Sequence, residues 1–245
     1  MSADELLICE LGTVEYRAGL ELQGRLRSAR QAGRIADTLL LLEHPPVYTR
    51  GRRSAAGELP MGEAWYRDRG IDVVDTDRGG RVTYHGPGQL VGYPIMGIGD
   101  VIAYLRTMER AIVAALADAG VGARARPDDG PDFTGVWAGE RKVASIGVHV
   151  ARGVTTHGFA INVDNDLTPF GWIVPCGLDG VQMTSVSQET GGGPALPAIT
   201  ASVAARFAEA FERCPRAVDA TALRAEVDGV PARAARKPSR PGGGR

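Results

Sequence analysis

Two apolar segments of β-type composition lie only three residues apart, and this spacing limits the possible folds more than any other feature of the sequence. They are residues 142–150 and 154–163. Such a short connection joins antiparallel strands in a hairpin, because parallel strands need a crossover of about a dozen or more residues. The sequence therefore predicts a sheet with antiparallel pairs rather than a doubly wound parallel sheet.

A second strong pattern predicts a helix over residues 100–119. Apolar side chains recur there at spacings of three and four residues, from Val101 to Leu116, which places them on one helix face that we interpret as packing against the core. Asp100 is suited to the N-cap and Gly120 to the C-terminal stop. Similar patterns predict helices over 15–33 and 199–213 and strands over 6–11, 37–43, 47–49, 71–75 and 183–187. This mixture predicts one α/β domain of the α+β type, a mixed β-sheet flanked by helices, over residues 1–229.

Composition and charge exclude several classes of protein. Of 245 residues, 44% are hydrophobic and 23% charged, as in an ordinary globular domain, and the net charge of -1 argues against a dedicated nucleic-acid binder. Apolar runs such as residues 39–42 are far shorter than the ~18 residues of a membrane span. With no visible secretory signal, we expect a cytoplasmic protein without membrane or nucleic-acid partners. Residues 230–245 are rich in Pro, Gly and Arg, which predicts a disordered basic tail.

The densest cluster of glycine and polar residues lies at 78–94, with the sequence RGGRVTYHGPGQLVGYP. Glycines allow a backbone to approach a ligand closely, and they also form simple turns around a hairpin. Turns alone do not explain the His, Tyr, Arg and Gln side chains in the same segment. A phosphate-binding loop is a weak match, since no helix begins directly after these glycines. We interpret the segment as a loop that lines a substrate site.

Two further residues have the chemistry of a catalytic pair. The chain has 26 Arg but only two Lys, and Lys142 is the one outside the predicted tail. A buried lysine can give up its proton near neutral pH, whereas an arginine stays charged, although most lysines at strand ends are simply solvated. Cys176 lies between Pro175 and Gly177 in a predicted tight turn, which suits a nucleophile beside a backbone oxyanion donor. A buried structural cysteine is the alternative interpretation.

The histidines and cysteines do not have the spacing of a metal site. His85, His149 and His157 fall in the segments described above, but the sequence has no HxH or HExxH pattern, so we predict no metal. The three cysteines are too scattered for a disulfide framework or a zinc knuckle. A Cys–His dyad stays open from these residues alone.

Taken together, these motifs resemble a known family, the lipoyl(octanoyl) transferases or lipoate-biosynthesis B proteins, and particularly its actinobacterial members. RGGRVTYHGPGQLVGYP matches the family signature, and KVASIGVHV, THGFAINV and PCGL follow in the family's order. The resemblance extends over roughly residues 6–213. Gly153 departs from it, because many members carry a bulky aromatic residue there. The basic tail is not part of the family core.

The resemblance implies the catalytic fold of biotin and lipoate protein ligases and an acyl-enzyme mechanism. Cys176 corresponds to the nucleophile that forms a thioester, and Lys142 to the lysine that activates it. We expect the Gly177 amide to hold the oxyanion, and His85 and Tyr84 to orient the donor. The implied substrate-binding residues are Arg78, Gly79, Gly80, Arg81, Val82, Thr83, Tyr84, His85, Ser145, Ile146, Gly147, Gly158, Phe159 and Ala160.

The implied reaction moves an octanoyl group from octanoyl-acyl carrier protein, whose phosphopantetheine carries it, to a lysine amine. The implied acceptors are the lipoyl domains of 2-oxoacid dehydrogenase E2 subunits and the glycine cleavage H protein. Because the donor is already a thioester, its exchange onto another thiol needs no ATP, and we expect neither ATP nor a metal as cofactor.

Three alternatives share some of these residues. An ATP-dependent lipoate or biotin ligase also uses a lysine at the Lys142 position but needs no thiol, so Cys176 favours the transferase. A non-catalytic acyl-binding module would keep the pocket without forming a covalent adduct. A cysteine hydrolase would release free octanoate without any acceptor protein.

Overall fold

The predicted hairpin is present at the centre of the fold. In the computed structural model, which describes residues 4–174 and 181–228, β9 (Arg141–Ala151) pairs antiparallel with β10 (Val154–Asn162). Arg152 and Gly153 form the two-residue turn, and both have positive φ, as hairpin turns that match the strand twist require. Gly153, which departs from the family pattern, therefore lies at the tip of the hairpin.

The strands of the described residues form two sheets. The larger sheet has eight strands in the order β11-β1-β2-β6-β10-β9-β8-β7, and the smaller has three in the order β4-β3-β5. The other strands are β1 (Glu5–Thr13), β2 (Asp37–Glu43), β3 (Val47–Arg50), β4 (Asp72–Asp75), β5 (Thr83–His85), β6 (Gln89–Ile95), β7 (Arg124–Ala125), β8 (Gly135–Ala138) and β11 (Cys214–Ala217). In the larger sheet β11, β1 and β2 run parallel, and all other neighbours are antiparallel. The expected mixed α/β fold is confirmed.

Helices cover both faces of the larger sheet. The helices are α1 (Tyr16–Gln31), α2 (Glu63–Arg67), α3 (Val101–Asp118), α4 (Val186–Thr190), α5 (Leu196–Ala210) and α6 (Ala220–Asp228), of which α2 packs against the smaller sheet instead. Along β2, Leu39 and Leu41 pack with α3 and α5, whereas Leu40 and Leu42 pack with α1 and α6. This alternation follows from the two-residue period of a strand. No helix within residues 4–174 and 181–228 has the length and apolarity needed to cross a membrane.

The structure confirms the predicted start of α3 but contradicts one of the predicted strands. The Asp100 side chain accepts a hydrogen bond from the Ala103 backbone N–H, which confirms the predicted N-cap of α3. The strand predicted over 183–187 is wrong, because Met183 forms only an isolated bridge and α4 begins at Val186. Ser185 caps this helix by accepting from Gln188, and such caps favour a helix start over a strand.

Candidate active site

A cavity of about 300 Å³ lies between the smaller sheet, the β9–β10 hairpin and the start of α3. Thirteen of the fourteen expected substrate-binding residues line it, together with Lys142. They are Arg78, Gly79, Gly80, Arg81, Val82, Thr83, His85, Ser145, Ile146, Gly147, Gly158, Phe159 and Ala160. The fold therefore brings together three segments that are far apart in the sequence.

Tyr84 is the expected residue that does not line the cavity. It is buried on the opposite side of the short strand β5, because successive side chains of a strand point to opposite faces. Its ring lies 5.5 Å from that of Tyr48 and 5.6 Å from that of Phe170, measured between centroids. Its position supports a packing role behind the cavity wall rather than the expected orientation of the donor.

The glycine-rich segment that begins at Arg78 is hydrogen-bonded to both sheets. The Arg78 guanidinium donates to the Thr49 carbonyl oxygen at 2.6 Å and to the Thr49 hydroxyl at 2.7 Å. The Gly79 N–H donates to the Val148 carbonyl oxygen of β9 at 2.9 Å. A Cβ at Gly147 would lie 2.7 Å from the Gly79 carbonyl oxygen, so the close approach of loop and strand requires glycine there.

His85 forms part of the cavity wall as a buried, neutral ring. Its Nδ1 lies 2.7 Å from Gln89 Oε1, while the Gln89 amide nitrogen donates to the Tyr84 carbonyl oxygen and to Asn162 Oδ1. Because that nitrogen already has two acceptors, Gln89 Oε1 is the acceptor for His85, and Nδ1 carries the proton. Burial, followed by the nearby His44, lowers the pKa of His85 to about 3. The ring is therefore uncharged near neutral pH.

A second neutral imidazole, His44, lies behind the first, with ring centroids 5.7 Å apart. His44 Nδ1 donates to the Val14 carbonyl oxygen at 2.6 Å, so its Nε2 accepts from the Tyr93 hydroxyl at 2.7 Å. Burial lowers the pKa of His44 to about 4. Since Tyr93 lines the cavity, this end of the cavity is made of neutral, hydrogen-bonded rings.

His157 lies beside the cavity in a backbone conformation that side chains rarely adopt, with φ of +57°. Its N–H donates to Gln23 Oε1 at 2.7 Å, and its Nε2 lies 2.7 Å from Asp77 Oδ1. The hydrogen bond from His157 lowers the pKa of Asp77 to about 2. Burial lowers the pKa of His157 itself, although the contact with Asp77 opposes that shift. These two anchors hold the strained residue in place.

Lys142 is almost completely buried, with 1% of its surface exposed. Its backbone N–H donates to the Gln182 carbonyl oxygen at 2.9 Å, and its carbonyl oxygen accepts from Thr184 at 3.0 Å. Lys142 Nζ lies 5.1 Å from the centre of the Trp137 ring, within the range of a cation–π contact. The lysine amine therefore lies inside the fold, against an aromatic face.

Gly135 and Glu109 shape the space around the Lys142 side chain. A Cβ at Gly135 would lie 2.7 Å from Lys142 Cε and 2.4 Å from the Ala144 carbonyl oxygen, so only glycine fits. The Gly135 N–H donates to Glu109 Oε1 at 3.1 Å, and the other oxygen of this buried carboxylate pairs with Arg106. The carboxylate thus fixes the backbone that lies against the lysine.

Cys176 lies outside the described residues, as does the predicted tail, so the expected contact between Cys176 and Lys142 stays a prediction. Before the gap, the Val174 N–H donates to the Glu58 carbonyl oxygen at 3.1 Å. After the gap, Gln182 contacts the backbone of Lys142. Gln182, which follows Cys176 by only six residues in the sequence, is thus in direct contact with Lys142.

Several lining residues had no functional signal in the sequence. Leu105 lines the cavity, although it belongs to the apolar stripe of α3 that we interpreted as core. Apolar periodicity alone cannot tell a side chain in the core from one in the wall of an apolar cavity. Tyr16 begins α1, and Tyr93 lies on β6, a strand that the sequence did not indicate. Their place at the cavity depends on contacts between distant segments.

Comparison with known proteins identifies the family. The family model of the lipoyl protein ligase A/B catalytic domain matches residues 15–212. The chain belongs to this family. An octanoyltransferase from Mycobacterium tuberculosis is 48% identical over 209 residues, which cover 83% of this chain and 86% of the relative. An octanoyltransferase from Solibacter usitatus is 51% identical over 173 residues, or 69% and 77% of the two chains. The resemblance to lipoyl(octanoyl) transferases is confirmed.

Solved structures agree with the fold of the lipoyl protein ligase A/B family. A lipoate-protein ligase A, crystallised with ATP, aligns with a TM-score of 0.73 and 19% identity over 91% of this chain and 92% of that one. The biotin protein ligase of Aquifex aeolicus aligns with a TM-score of 0.50 and 13% identity over 85% and 70%. At these identities the likeness concerns the fold alone, and it confirms the expected ligase-like architecture.

Proposed function

We propose that this chain transfers an octanoyl group from octanoyl-acyl carrier protein to the lysine amine of lipoyl domains, through a thioester on Cys176. Membership of the family and 48% identity to a named octanoyltransferase support octanoyl transfer in lipoate biosynthesis. One observation carries the proposed route, namely that a buried lysine, Lys142, lines a largely apolar cavity. We call this space the acyl cavity.

The acyl cavity is suited to a saturated chain. The register of the hairpin places Ser145 opposite Ala160 and Val148 opposite His157, so the cavity follows the two strands away from Lys142. Apolar side chains from both strands and from α3 provide its walls. Because each buried CH₂ contributes ~0.8 kcal/mol, an eight-carbon chain binds more tightly than a shorter one.

In the first step, the Cys176 thiolate attacks the carbonyl carbon of the donor thioester. The Gly177 backbone amide holds the tetrahedral oxyanion, and collapse of this intermediate breaks the bond to the phosphopantetheine sulfur. Lys142 holds the proton that leaves Cys176 and returns it to the departing sulfur. One thioester replaces another, so the step is nearly isoenergetic and proceeds without ATP.

In the second step, the ε-amine of the acceptor lysine attacks the octanoyl-Cys176 carbonyl carbon. An amide bond forms, the bond to sulfur breaks, and Lys142 takes the proton that the amine releases. The general base must be able to exist without its charge, which lysine can do and arginine cannot. Replacement of Lys142 by arginine should therefore abolish transfer although it retains a cation.

The reaction defines the partners. The donor is octanoyl-acyl carrier protein, and the acceptors are lipoyl domains of 2-oxoacid dehydrogenase E2 subunits and the glycine cleavage H protein. The phosphopantetheine of the donor supplies the thioester, so the reaction uses no further cofactor and no metal. We propose that the reaction takes place in the cytoplasm.

Intact-mass spectrometry after mixing the purified chain with octanoyl-acyl carrier protein tests the thioester route. We expect a mass increase of one octanoyl group on the unmodified chain and none on Cys176→Ala. Lys142→Ala and Lys142→Arg should form little adduct while retaining the circular dichroism of the folded chain. Near-normal turnover in any of these three variants would contradict the proposed pair.

Three further measurements separate the alternative functions. Incorporation of labelled AMP from ATP would indicate a ligase, and release of free octanoate without an acceptor would indicate a hydrolase. A complex with the acyl donor that is only non-covalent would indicate a binding module. The proposed transferase requires a covalent adduct that disappears when a lipoyl domain is added, with octanoyl amide appearing on that domain.

A further inference from the structure

A second crevice, of about 520 Å³, shares only His157 with the lining of the acyl cavity. It is bounded by α1, by the loop after β3, by residues 75–77 and by β10. The proposed transfer reaction gives this crevice no role. We call it the polar crevice, because its lining is dominated by charged and hydrogen-bonding side chains.

Three side chains of the polar crevice carry buried polar atoms that lack a partner among the described residues. They are Gln23 Nε2, Thr156 Oγ1 and His157 Nδ1. All three residues are at least nine-tenths buried, with exposures of 2%, 4% and 2%. Buried polar atoms of folded proteins are almost always hydrogen-bonded, so a concentration of three in one crevice indicates a partner from outside the chain.

The hydrogen-bonding character of two of these atoms is fixed by their neighbours. Gln23 Oε1 accepts from the His157 N–H at 2.7 Å, so Gln23 Nε2 is the amide nitrogen and offers a donor. His157 Nε2 lies 2.7 Å from the Asp77 carboxylate and donates to it, so in the neutral ring Nδ1 offers a lone pair. A ligand must therefore both accept and donate, as a hydroxyl group does.

The charges around the crevice favour an anion. Arg27 and Arg52 line it, and neither forms an ion pair with any residue in the described part of the chain. Its two carboxylates already have partners, since Asp75 pairs with Arg50 and Asp77 accepts from His157. Asp77 attracts Arg27 electrostatically without a direct contact, so both guanidinium groups keep hydrogen-bond donors that suit phosphate better than any neutral group.

We propose that the polar crevice binds a phosphate monoester that also carries a hydroxyl group. The guanidinium groups of Arg27 and Arg52 would hold the phosphate. The hydroxyl would accept from Gln23 Nε2, donate to His157 Nδ1 and lie beside the Thr156 hydroxyl. This inference is independent of the proposed octanoyl transfer, because neither arginine contacts the acyl cavity. A bound ligand would nevertheless contact His157, which lines both spaces.

Isothermal titration calorimetry with glycerol 3-phosphate, inorganic phosphate and glycerol as probes tests the proposal on the full chain. We expect glycerol 3-phosphate to bind more tightly than inorganic phosphate, and glycerol alone not to bind. The variant Arg27→Ala/Arg52→Ala should weaken glycerol 3-phosphate about tenfold or more, because charge-assisted hydrogen bonds are lost. Arg34→Ala is the matched control, since Arg34 is exposed and lies outside the crevice, and its Kd should be unchanged.

A near-isosteric change tests the buried part of the crevice separately. Thr156→Val removes only the hydroxyl and should weaken glycerol 3-phosphate several-fold while leaving inorganic phosphate unaffected. Absence of measurable binding, or equal weakening by Arg34→Ala, would overturn the proposal. So would a crystal structure grown with glycerol 3-phosphate in which a water molecule alone bonds to the three buried atoms.

Discussion

Two buried imidazoles are expected to make the folded chain sensitive to mild acid. Burial lowers the pKa of His44 to about 4 and that of His85 to about 3, whereas histidines of the unfolded chain have a pKa of ~6.5. Between pH 6.5 and 4 the unfolded chain binds protons that the folded chain excludes, so stability falls as the pH falls. At pH 5.5, one unit below the unfolded pKa, each imidazole lowers the free energy of unfolding by ~1.4 kcal/mol, and the two together by ~3 kcal/mol, relative to a pH well above 6.5.

The carboxyl groups whose pKa is lowered furthest contribute little to the loss of stability in the upper part of this window. Hydrogen bonds from His157 and Arg206 lower the pKa values of Asp77 and Asp118 to about 2. The stability that such groups contribute is present above their unfolded pKa of ~4 and is lost only below it. His157, whose pKa is lowered by burial, acts in the same direction as the other two histidines. The slope between pH 6.5 and 4.5 therefore reports on buried histidine.

Urea unfolding, followed by tryptophan fluorescence at half-unit pH intervals, measures this slope. His44→Gln keeps an amide that can donate to Val14 and accept from Tyr93, but it does not titrate. We expect the variant to reduce the dependence of the unfolding free energy on pH by ~1.4 kcal/mol per unit between pH 6 and 4.5. His149→Gln is the control, because its side chain is partly exposed and pairs with Asp77 rather than with His44 or His85. An unchanged slope in His44→Gln would refute the reasoning.

Two further predictions concern the surroundings of Lys142 and of the glycine-rich loop. Trp137→Leu removes the aromatic face beside the Lys142 amine, an interaction worth ~0.5–2 kcal/mol, so kcat should fall about two- to thirtyfold with KM little changed. Trp137→Phe should recover most of the loss in steady-state assays. Gly147→Ala places a Cβ 2.7 Å from the Gly79 carbonyl oxygen and should cost ~1–3 kcal/mol of stability in urea unfolding, together with activity. Gly122→Ala, which meets open space, should cost neither, and equal effects in the two alanine variants would contradict this account.

Local signals in the sequence were sufficient for much of the fold. The β9–β10 hairpin, the capped helix α3 and the strand Asp37–Glu43 each follow from a pattern contained within one segment. Of the three segments that line the acyl cavity, residues 78–85 stood out by their own glycines and polar side chains, whereas residues 145–147 and 158–160 were implied by the family resemblance. A segment with more polar side chains than a turn needs can therefore be identified as a candidate site before the fold is known.

The strand β6 shows what the sequence did not reveal. Its residues Gly92 and Pro94 are poor strand formers, and the segment was interpreted as part of a loop. In the fold, a Cβ at Gly92 would lie 2.1 Å from the Phe159 ring, and one at Gly158 would lie 2.2 Å from the Gly92 carbonyl oxygen. The glycines of β6 and β10 therefore allow a close packing of two strands that no local pattern encodes.

The buried carboxylate of Glu109 extends this argument to the site. Its position on α3 falls among the apolar residues of a stripe that we assigned to core packing alone, and a charged group there has no local explanation. In the fold it accepts from the Gly135 N–H, beside the Lys142 side chain, and pairs with Arg106. Removing one partner of such a buried pair is strongly destabilising, so the acid persists there only because the neighbouring backbone and cation stabilise it. A helix whose sequence pattern indicates packing alone thus also holds in place the backbone against which the buried lysine lies.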